Sequence, residues 1–278
     1  MDRDSGNADG YALGHSAQEQ ERLIYQGDRF RRFTKPWMQQ AGIGPGMRVL
    51  DAGCGVGDVA FIAADLVGPT GAVMGVDRSP DALTTARERA HSLGLPNVAF
   101  VEGDIAAISI DGAFDAVVGR LVLFWVADPV AVVRNLSGHV RPGGIVFFHE
   151  PDIFARAWPP APLFEQCVSW IVQAFERSGG RPDMGLRLYK TLVDAGLPPP
   201  TVEIGGIVCD SHDRENLRLA VETVRSMQPA MEKHGIATAA ELVVDTLEER
   251  LRMEIEAGGG VTCRMIHYGA WSRVPEAS

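Results

Sequence analysis

The fold is decided by residues 49–58, Val-Leu-Asp-Ala-Gly-Cys-Gly-Val-Gly-Asp, where an apolar run leads into a glycine-rich turn. Glycine lets a backbone pass close to a ligand, and the first N–H groups of the helix that follows are unpaired donors. The glycines are spaced G-x-G-x-G, whereas a dinucleotide fingerprint requires G-x-G-x-x-G, and Asp58 stands at the third fingerprint position. Asp51, at the strand end, favours a cationic ligand over a phosphate. The turn therefore predicts a ligand site, and its spacing disfavours a nicotinamide-dependent oxidoreductase.

Around this turn, apolar runs alternate with helical segments, which predicts a parallel sheet with helices on both faces. Five strands are expected between residues 41 and 150, at Met47–Asp51, Ala72–Asp77, Val98–Glu102, Phe114–Gly119 and Ile145–Glu150. Arg141-Pro142-Gly143-Gly144 is expected to be a turn before the fifth of them. Two later strands, Thr201–Cys209 and Thr262–Arg273, are separated by about 50 residues of helix.

The predicted fold class is α/β, a Rossmann-like sheet of seven mostly parallel strands with N-terminal helices and a helical lid insertion. The expected divisions are an N-terminal helical cap at residues 1–40, a cofactor-binding core at 41–150 and a remainder at 151–278. The lid is expected at about residues 211–260. This arrangement leaves more than half of the chain available to enclose a second ligand.

Composition excludes several classes of protein. The 278 residues carry 26 Lys and Arg against 36 Asp and Glu, and a net charge of −10 disfavours nucleic acid as a partner. Four cysteines lie far apart without a C-x-x-C pair, so reduced thiols in a cytoplasmic protein are expected, with no metal. The N-terminus is polar and the longest apolar run, Leu121 to Ala127, is short, so neither export nor membrane insertion is expected.

Acidic side chains end three of the predicted strands. Asp77 lies twenty residues beyond Gly57, where a carboxylate can accept both hydroxyl groups of a ribose. Asp104 follows the third strand and is suited to accept a hydrogen bond from an exocyclic amine such as that of adenine. With Asp51, these acids line the edge at which open α/β sheets bind ligands. The array predicts a nucleoside-containing ligand with positive charge.

These segments, in this order, resemble the class I S-adenosylmethionine-dependent methyltransferases, in the small-molecule group that includes the ubiquinone and menaquinone enzymes. The resemblance rests on "VLDAGCGVGD", "VMGVDRSPDAL", "VEGDI", "FDAVVGRLVLFWVADP" and "VRPGGIVFFHEPD", and covers roughly residues 41 to 152. It implies S-adenosylmethionine as cofactor and S-adenosylhomocysteine as product. It further implies cofactor contacts from Asp51, Gly53, Gly55, Gly57, Asp77, Arg78, Asp104, Ile105 and Arg120.

The N-terminal segment "YALGHSAQEQERLIYQ" resembles a helix that covers the cofactor and substrate in some members of the group. The resemblance implies that Tyr11 touches the cofactor and His15 the substrate, although such segments are often disordered. From about Ser16 to Gln40 the pattern is helical, with an apolar stripe formed by Leu23, Phe30, Phe33 and Trp37. The stripe could pack on the chain's own core or, like the lid, on a second copy in a homo-oligomer.

His149 and Glu150 follow the fifth strand, at the edge where a methyl acceptor should lie. His149 is the first candidate for a general base or a positioning residue, and the alternative is a histidine that is hydrogen-bonded within the sheet edge. Glu150 could bind an acceptor amine or cap the next helix. Trp125 and His267 are candidates for the wall of the substrate pocket, although aromatic side chains at such positions are more often core.

The expected function is methyl transfer to a small organic molecule, a secondary metabolite or a quinone-like compound, with oxygen favoured over carbon or nitrogen. After the fourth strand the chain reads Gly119-Arg120-Leu121-Val122-Leu123, which lacks the Asn/Asp-Pro-Pro-aromatic box of amide- and base-directed enzymes. Two alternatives stay open. The fold could serve an S-adenosylmethionine-dependent cyclase or rearrangement enzyme, or a module that senses the cofactor without turnover.

Overall fold

The computed structural model describes residues 17–110 and 112–276, with side chains from residue 23 onward. No helix within these residues is both long enough and apolar enough to span a bilayer. Tyr11 and His15 lie outside the described residues. Within the described residues the chain divides into two compact units, a sheet unit (residues 23–110, 112–151, 183–205 and 267–276) and a helical unit (residues 17–22, 152–182 and 206–266).

The predicted α/β fold class is confirmed. In the described residues the strands form one mostly parallel seven-stranded sheet in the order β3-β2-β1-β4-β5-β7-β6. The strands are β1 (Arg48–Ala52), β2 (Ala72–Asp77), β3 (Val98–Glu102), β4 (Phe114–Arg120), β5 (Val140–Trp158), β6 (Thr201–Gly206) and β7 (Val261–Arg273). The helices are α1 (Ala17–Ala41), α2 (Asp58–Val67), α3 (Pro80–Ser92), α4 (Pro129–Ser137), α5 (Pro162–Arg177), α6 (Met184–Asp194), α7 (Arg214–Lys233), α8 (Ala239–Leu242) and α9 (Val244–Gly258).

The helix starts show why the sequence folds locally as it does. Ser79 accepts a hydrogen bond from the N–H of Ala82, and Asp128 accepts one from the N–H of Ala131, each ahead of a proline at the first helical position. A proline there loses no helical hydrogen bond, because the first N–H groups of a helix are unpaired. These caps fix where α3 and α4 begin, and therefore where β2 and the loop after β4 must end.

Parallel pairing brings the strand ends to one edge of the sheet. Asp51 of β1 pairs with Gly75 of β2 and with Val118 of β4, and the end of β4 is level with β5 through the pair Arg120 and His149. Since all four strands run in the same direction, their carboxyl ends meet there. The edge that the sequence marks with acids is thus a single surface of the sheet unit.

The core of the sheet unit explains how α1 is held. Trp37 belongs to the main hydrophobic cluster, Phe33 packs against that cluster, and Phe30 is only 2% exposed. The apolar stripe of α1 therefore packs within its own unit, although Leu23 and Phe33 are only partly buried. Self-association through α1 or the lid stays a prediction.

The helical unit has its own packing. Helices α5, α7 and α9 pack on one another, and the Glu254 carboxylate accepts hydrogen bonds from the N–H groups of Leu163 and Phe164 in the first turn of α5, at 2.8 and 3.0 Å. Thr238 and Glu241 form a capping box at the start of α8. The division of the chain into cap, core and lid stays a prediction.

Two predicted strand limits were wrong. The fifth strand runs from Val140 to Trp158, and the expected turn at Arg141–Gly144 lies inside it as an irregularity in the pairing with β4. Gly143 has a φ of +73°, which lets the strand absorb the extra residues without ending. The sixth strand stops at Gly206, and Cys209 instead forms an isolated bridge with Thr262.

Candidate functional site

The glycine-rich turn between β1 and α2 is built on left-handed backbone. Gly53, Gly55 and Gly57 have φ angles of +69°, +50° and +93°, which side chains with a Cβ rarely adopt. A Cβ on Gly53 would collide with Val122, and one on Gly57 would lie 2.7 Å from the Phe61 ring. A Cβ on Gly55 would meet nothing within 4 Å. The turn is therefore packed at both ends and open in its middle, as a cradle for a ligand requires.

Asp51 is a buried acid at the end of β1 without a hydrogen-bond partner. The residue is 1% exposed, and neither carboxylate oxygen has a hydrogen-bond partner in the described structure. Burial raises the pKa of Asp51 to about 7, an effect partly offset by the nearby Arg120 cation and by the backbone N–H of Ala60, which approaches the carboxylate without the geometry of a full hydrogen bond. Leaving a buried carboxylate unsatisfied is costly. Such a group is typical of a site that binds a cation or a hydrogen-bond donor.

Asp77, at the end of β2, is held in place by backbone donors. Its Oδ2 accepts a hydrogen bond from the N–H of Gly55 at 2.8 Å, and its Oδ1 accepts one from the N–H of Ser79 at 2.9 Å. An ionised carboxylate can accept about four hydrogen bonds, so capacity for further donors is left. The structure thus joins Asp77 to the glycine turn directly.

The three other candidates nearby differ in exposure. Asp104 is exposed and accepts a hydrogen bond from the N–H of Ala106 at 2.9 Å, whereas Ile105 is buried and Arg78 is exposed. Their expected contacts with a nucleoside stay predictions.

Arg120, at the end of β4, is a buried cation near the turn. Its side chain is 6% exposed and lies 4.0 Å from the Asp58 carboxylate, which also pairs with Arg89 at 2.8 Å. Burial lowers the pKa of Arg120, opposed by the charges of Asp58, Asp51 and Asp28. Burial also raises the pKa of Asp58, opposed by the two arginines. The acid that breaks the dinucleotide fingerprint thus fixes a positive charge beside the turn.

Glu150 is a structural acid that holds the loop after β4. It is fully buried, and its carboxylate accepts hydrogen bonds from the N–H groups of Val122, Leu123 and Phe124 at 2.9, 2.8 and 3.3 Å. Burial raises the pKa of Glu150 to about 8, and the three backbone donors oppose that rise. The expected alternative was a cap on the next helix, whereas the segment that Glu150 holds, residues 122–124, precedes it in the chain. This geometry gives no support to Glu150 as a ligand of an acceptor amine.

His149 is also buried, at 0% exposure, and both of its ring nitrogens are occupied. Nδ1 lies 2.9 Å from Thr34 Oγ1, and Nε2 lies 3.0 Å from Nδ1 of His267. Burial, reinforced by His267 and Arg120, lowers the pKa of His149 well below its usual value. The geometry favours the alternative of a hydrogen-bonded histidine at the sheet edge over a base exposed to an acceptor.

The other pocket candidates also pack against aromatic rings. His267 is 2% exposed, with its ring 4.2 Å from that of Phe30 and 4.9 Å from that of Phe33, centroid to centroid. Trp125 is half-buried and packs edge-on against Phe124 at 4.8 Å. Their proposed role as substrate-pocket walls stays a prediction. Among the described residues no cluster of His, Cys, Asp and Glu could hold a metal ion.

Thr34 is the residue of this region that sequence reasoning missed. It is fully buried on α1, and its hydroxyl lies 3.2 Å from Nη1 of Arg120 as well as 2.9 Å from His149. A signal was present, since Thr34 stands four residues after Phe30 and three before Trp37, on the apolar face of the helix. A single polar residue within such a stripe indicates a buried partner.

Comparisons with known proteins agree with this geometry. Residues 43–192 match a family model described as a methyltransferase domain. The chain is 35% identical over 118 residues to an arsenite methyltransferase from Aquipseudomonas alcaligenes, covering 40% of this chain and 34% of the relative. It is 31% identical over 140 residues to a demethylmenaquinone methyltransferase from Staphylococcus aureus, covering 50% of this chain and 55% of the relative.

A solved structure matches over most of the chain. Geranyl diphosphate C-methyltransferase from Streptomyces coelicolor, in complex with Mg²⁺, geranyl diphosphate and S-adenosylhomocysteine, is 19% identical, with a TM-score of 0.54. The match covers 95% of this chain and 87% of that one, and it shows the shared fold. The chain spans about half or less of the length of the curated relatives that it matches.

Proposed function

The chain belongs to the methyltransferase-domain family, and on that premise we propose that it transfers a methyl group from S-adenosylmethionine to a small organic molecule. The observation that carries the proposal is Asp51, a buried carboxylate without a hydrogen-bond partner beside an open glycine turn. The donor carries positive charge on its sulfur and its amino group, so the buried acid and the cofactor complement each other. A phosphate in the same place would be repelled.

The residues present fit this cofactor. Asp51 would accept the ammonium group and Arg120 would lie at the carboxylate of the same amino-acid end, with the turn at Gly55 beside them. Asp77 would accept the ribose hydroxyls, for which its fixed carboxylate has remaining lone pairs. Asp104 and Ile105 would hold the adenine edge, with Arg78 beside it.

Little further chemistry is asked of the protein. The sulfonium supplies an already activated methyl group, so the chain's own residues contribute alignment and exclusion of water. Glu150 fixes the loop at residues 122–124 and His149 the adjoining strand end. Both act as supports in this proposal.

The acceptor is proposed to be a quinone-like compound or another secondary metabolite, methylated at oxygen. The name of the Staphylococcus aureus relative supports a quinone-like acceptor. A phenolic hydroxyl, with a pKa of about 10, is far more acidic than an aliphatic hydroxyl, which makes it the hydroxyl acceptor best suited to a site whose buried histidine is occupied by other partners. Carbon and nitrogen are the alternative atoms.

Calorimetry tests the cofactor. The purified protein should bind S-adenosylmethionine and S-adenosylhomocysteine at micromolar concentrations, and Asp77→Ala should weaken that binding at least tenfold. Asp245→Ala, which removes a carboxylate that is 91% exposed in the helical unit, is the matched control and should bind like the wild type. Absence of binding of either compound to the folded wild type would refute the proposal.

A panel of phenols, quinols and amines with methyl-labelled donor tests the reaction. Label in the product, located by NMR, supports methyl transfer and identifies the atom. A rearranged product without label would instead establish the cyclase alternative. Cofactor binding with no turnover of any acceptor would favour a sensing module.

A further inference from the structure

Three polar groups from three different elements meet at one hydroxyl. Thr34 Oγ1 of α1 lies 3.0 Å from the carbonyl oxygen of Phe30, 3.2 Å from Nη1 of Arg120 and 2.9 Å from Nδ1 of His149. The chain of contacts continues from His149 Nε2 to His267 Nδ1 at 3.0 Å. All of these residues lie in the sheet unit, and the three side chains of Thr34, His149 and His267 are at most 2% exposed.

Counting protons fixes the direction of these bonds. A hydroxyl has one hydrogen to donate and two lone pairs with which to accept. The Phe30 carbonyl can only accept and the Arg120 guanidinium can only donate, so the Thr34 hydrogen goes to Phe30 and one lone pair receives Arg120. The second lone pair is then available only to a donor, and Nδ1 of His149 must carry a hydrogen.

The same count continues to the second histidine. With a hydrogen on Nδ1, a neutral His149 has a bare Nε2, which accepts a hydrogen bond from Nδ1–H of His267. A second proton on either ring would place an imidazolium beside another histidine and near Arg120 in a buried site. The four bonds are satisfied only when both rings carry a hydrogen on Nδ1 and Nε2 of His149 is bare.

We propose that Thr34 is a positioning residue: its hydroxyl holds Arg120 at the cofactor's amino-acid end and fixes the hydrogens of the histidine pair, with Nδ1–H on both His149 and His267 and a bare Nε2 on His149. The role of Arg120 rests on the proposed function, whereas the state of the histidines does not. Arg120 has two other contacts, from the same Nη1 to the Gly27 carbonyl at 3.5 Å and from Nη2 to Asp58 at 4.0 Å, both at the edge of bonding distance. Thr34 therefore makes the shortest of these three contacts to the guanidinium.

The state of the histidines is tested on the wild type. Long-range ¹H–¹⁵N correlation spectra of labelled protein at pH 7, after assignment of the seven histidines, distinguish protonated from bare ring nitrogens. A hydrogen on Nδ1 of both His149 and His267, and a bare Nε2 on His149, are expected. A bare Nδ1 on either ring, or a hydrogen on Nε2 of His149, would overturn the assignment.

Variants test the positioning of Arg120. Thr34→Val keeps the shape of the side chain but removes the acceptor, and should raise the Kd for S-adenosylmethionine roughly tenfold, the effect of leaving a buried donor unpaired. Thr34→Ser should restore the wild-type Kd within about twofold. Thr223→Val is the matched control, because Thr223 is also buried in a helix and donates to the carbonyl four residues earlier, at 2.7 Å.

The possible results separate the two proposals. An unchanged Kd in Thr34→Val, or a Thr34→Ser variant as weak as Thr34→Val, overturns the positioning role. If Thr34→Val does not fold, Thr34→Ser and the wild-type spectra still decide, since an altered proton pattern in the serine variant would contradict the hydroxyl's role. A wild type that fails to bind the cofactor refutes the proposed function and leaves the spectral test standing.

Discussion

Replacing Asp51 by asparagine tests the central feature of the site, because it removes the charge and keeps the size of the side chain. The wild-type carboxyl has its pKa raised from 3.8 to about 7 by burial. An acid whose pKa is raised in the folded protein keeps a proton that the unfolded chain has already lost. Its ionisation therefore costs folding stability as the pH rises from about 4 to about 7. Above that range the cost is complete.

The size of this effect follows from the pKa values. A difference of about three pKa units corresponds to roughly 4 kcal/mol in full, of which about 2.5 kcal/mol develops between pH 5 and pH 8. Asp51→Asn has no such ionisation, so its stability relative to the wild type should increase by about 2.5 kcal/mol over that interval. The pH-independent cost of burying an amide cancels in this difference.

The affinity for the cofactor should rise with pH, whereas the stability of the folded protein falls with pH. If an ionised Asp51 receives the ammonium group, the ionised fraction of the free protein limits affinity, and it rises about fivefold between pH 6 and pH 7. This interval lies below the range of about 7.7–8.0 in which an α-amino group loses its proton. Wild-type affinity should therefore improve about fivefold, with release of a proton, and the affinity of Asp51→Asn should be weaker and nearly independent of pH.

Urea unfolding at pH 5 and pH 8 measures the stability effect. Calorimetry in two buffers of different ionisation enthalpy measures the proton released on binding. Asp245→Asn, an exposed carboxylate in the helical unit, serves as control and should follow the wild type in both. A wild type whose affinity does not change between pH 6 and pH 7, or an Asp51→Asn variant with the same pH dependence as the wild type, would refute the reasoning.

Three further predictions concern how the site is supported. Glu150→Ala should lose about 2–3 kcal/mol of unfolding free energy because three backbone donors lose their acceptor, and Glu150→Gln should lose less. Thermal or urea unfolding at pH 7 measures both losses, and equal losses would contradict the capping role. Gly53→Ala should destabilise the protein by more than about 2 kcal/mol, since its Cβ collides with Val122. Gly55→Ala should cost only about 1–2 kcal/mol of backbone strain but should weaken cofactor binding at least tenfold. Calorimetry on both variants tests the contrast, and wild-type affinity in Gly55→Ala would count against the cradle. Glu254→Ala should lose about 1–2 kcal/mol of unfolding free energy because the first turn of α5 loses its cap. Glu248→Ala, on the same helix, is the control and should lose almost nothing. Equal unfolding midpoints for the two variants would disprove the cap.

The first half of the chain was predictable because its signals are local. An apolar strand, a glycine turn and an N-cap each occupy a few adjacent residues, and Asp51 and Asp77 fall at strand ends by the same count. Parallel pairing then brings these ends together without further information. The start of the fifth strand was missed because Gly143, which looks like a turn residue, is accommodated inside β5.

The roles of His149 and Glu150 could not be predicted in the same way. The partners of His149 stand 115 and 118 positions away, at Thr34 and His267. Sequence placed both residues at the end of the fifth strand, whereas β5 continues past them to Trp158. Position along a strand does not distinguish a base that faces an acceptor from a group whose hydrogen bonds are all used within the fold. Burial and partners decide that, and these depend on how α1 and β7 close over the strand end.

The loss of His149 as an exposed base does not weaken the case for methyl transfer, because of what the reaction demands. A base contributes typically 10²–10⁴-fold when a proton must move in the transition state. The sulfonium donor is activated before it reaches the protein, and alignment of donor and acceptor can contribute more than that factor. Most of the buried polar groups of the site support its structure, as this demand requires. Glu150 rigidifies the loop after β4, the Thr34 network fixes Arg120, and Asp51 is the group left without a partner. A site that satisfies its supports and leaves one carboxylate unpaired is organised to bind a charged donor and hold it in place, which is the larger part of what this reaction requires.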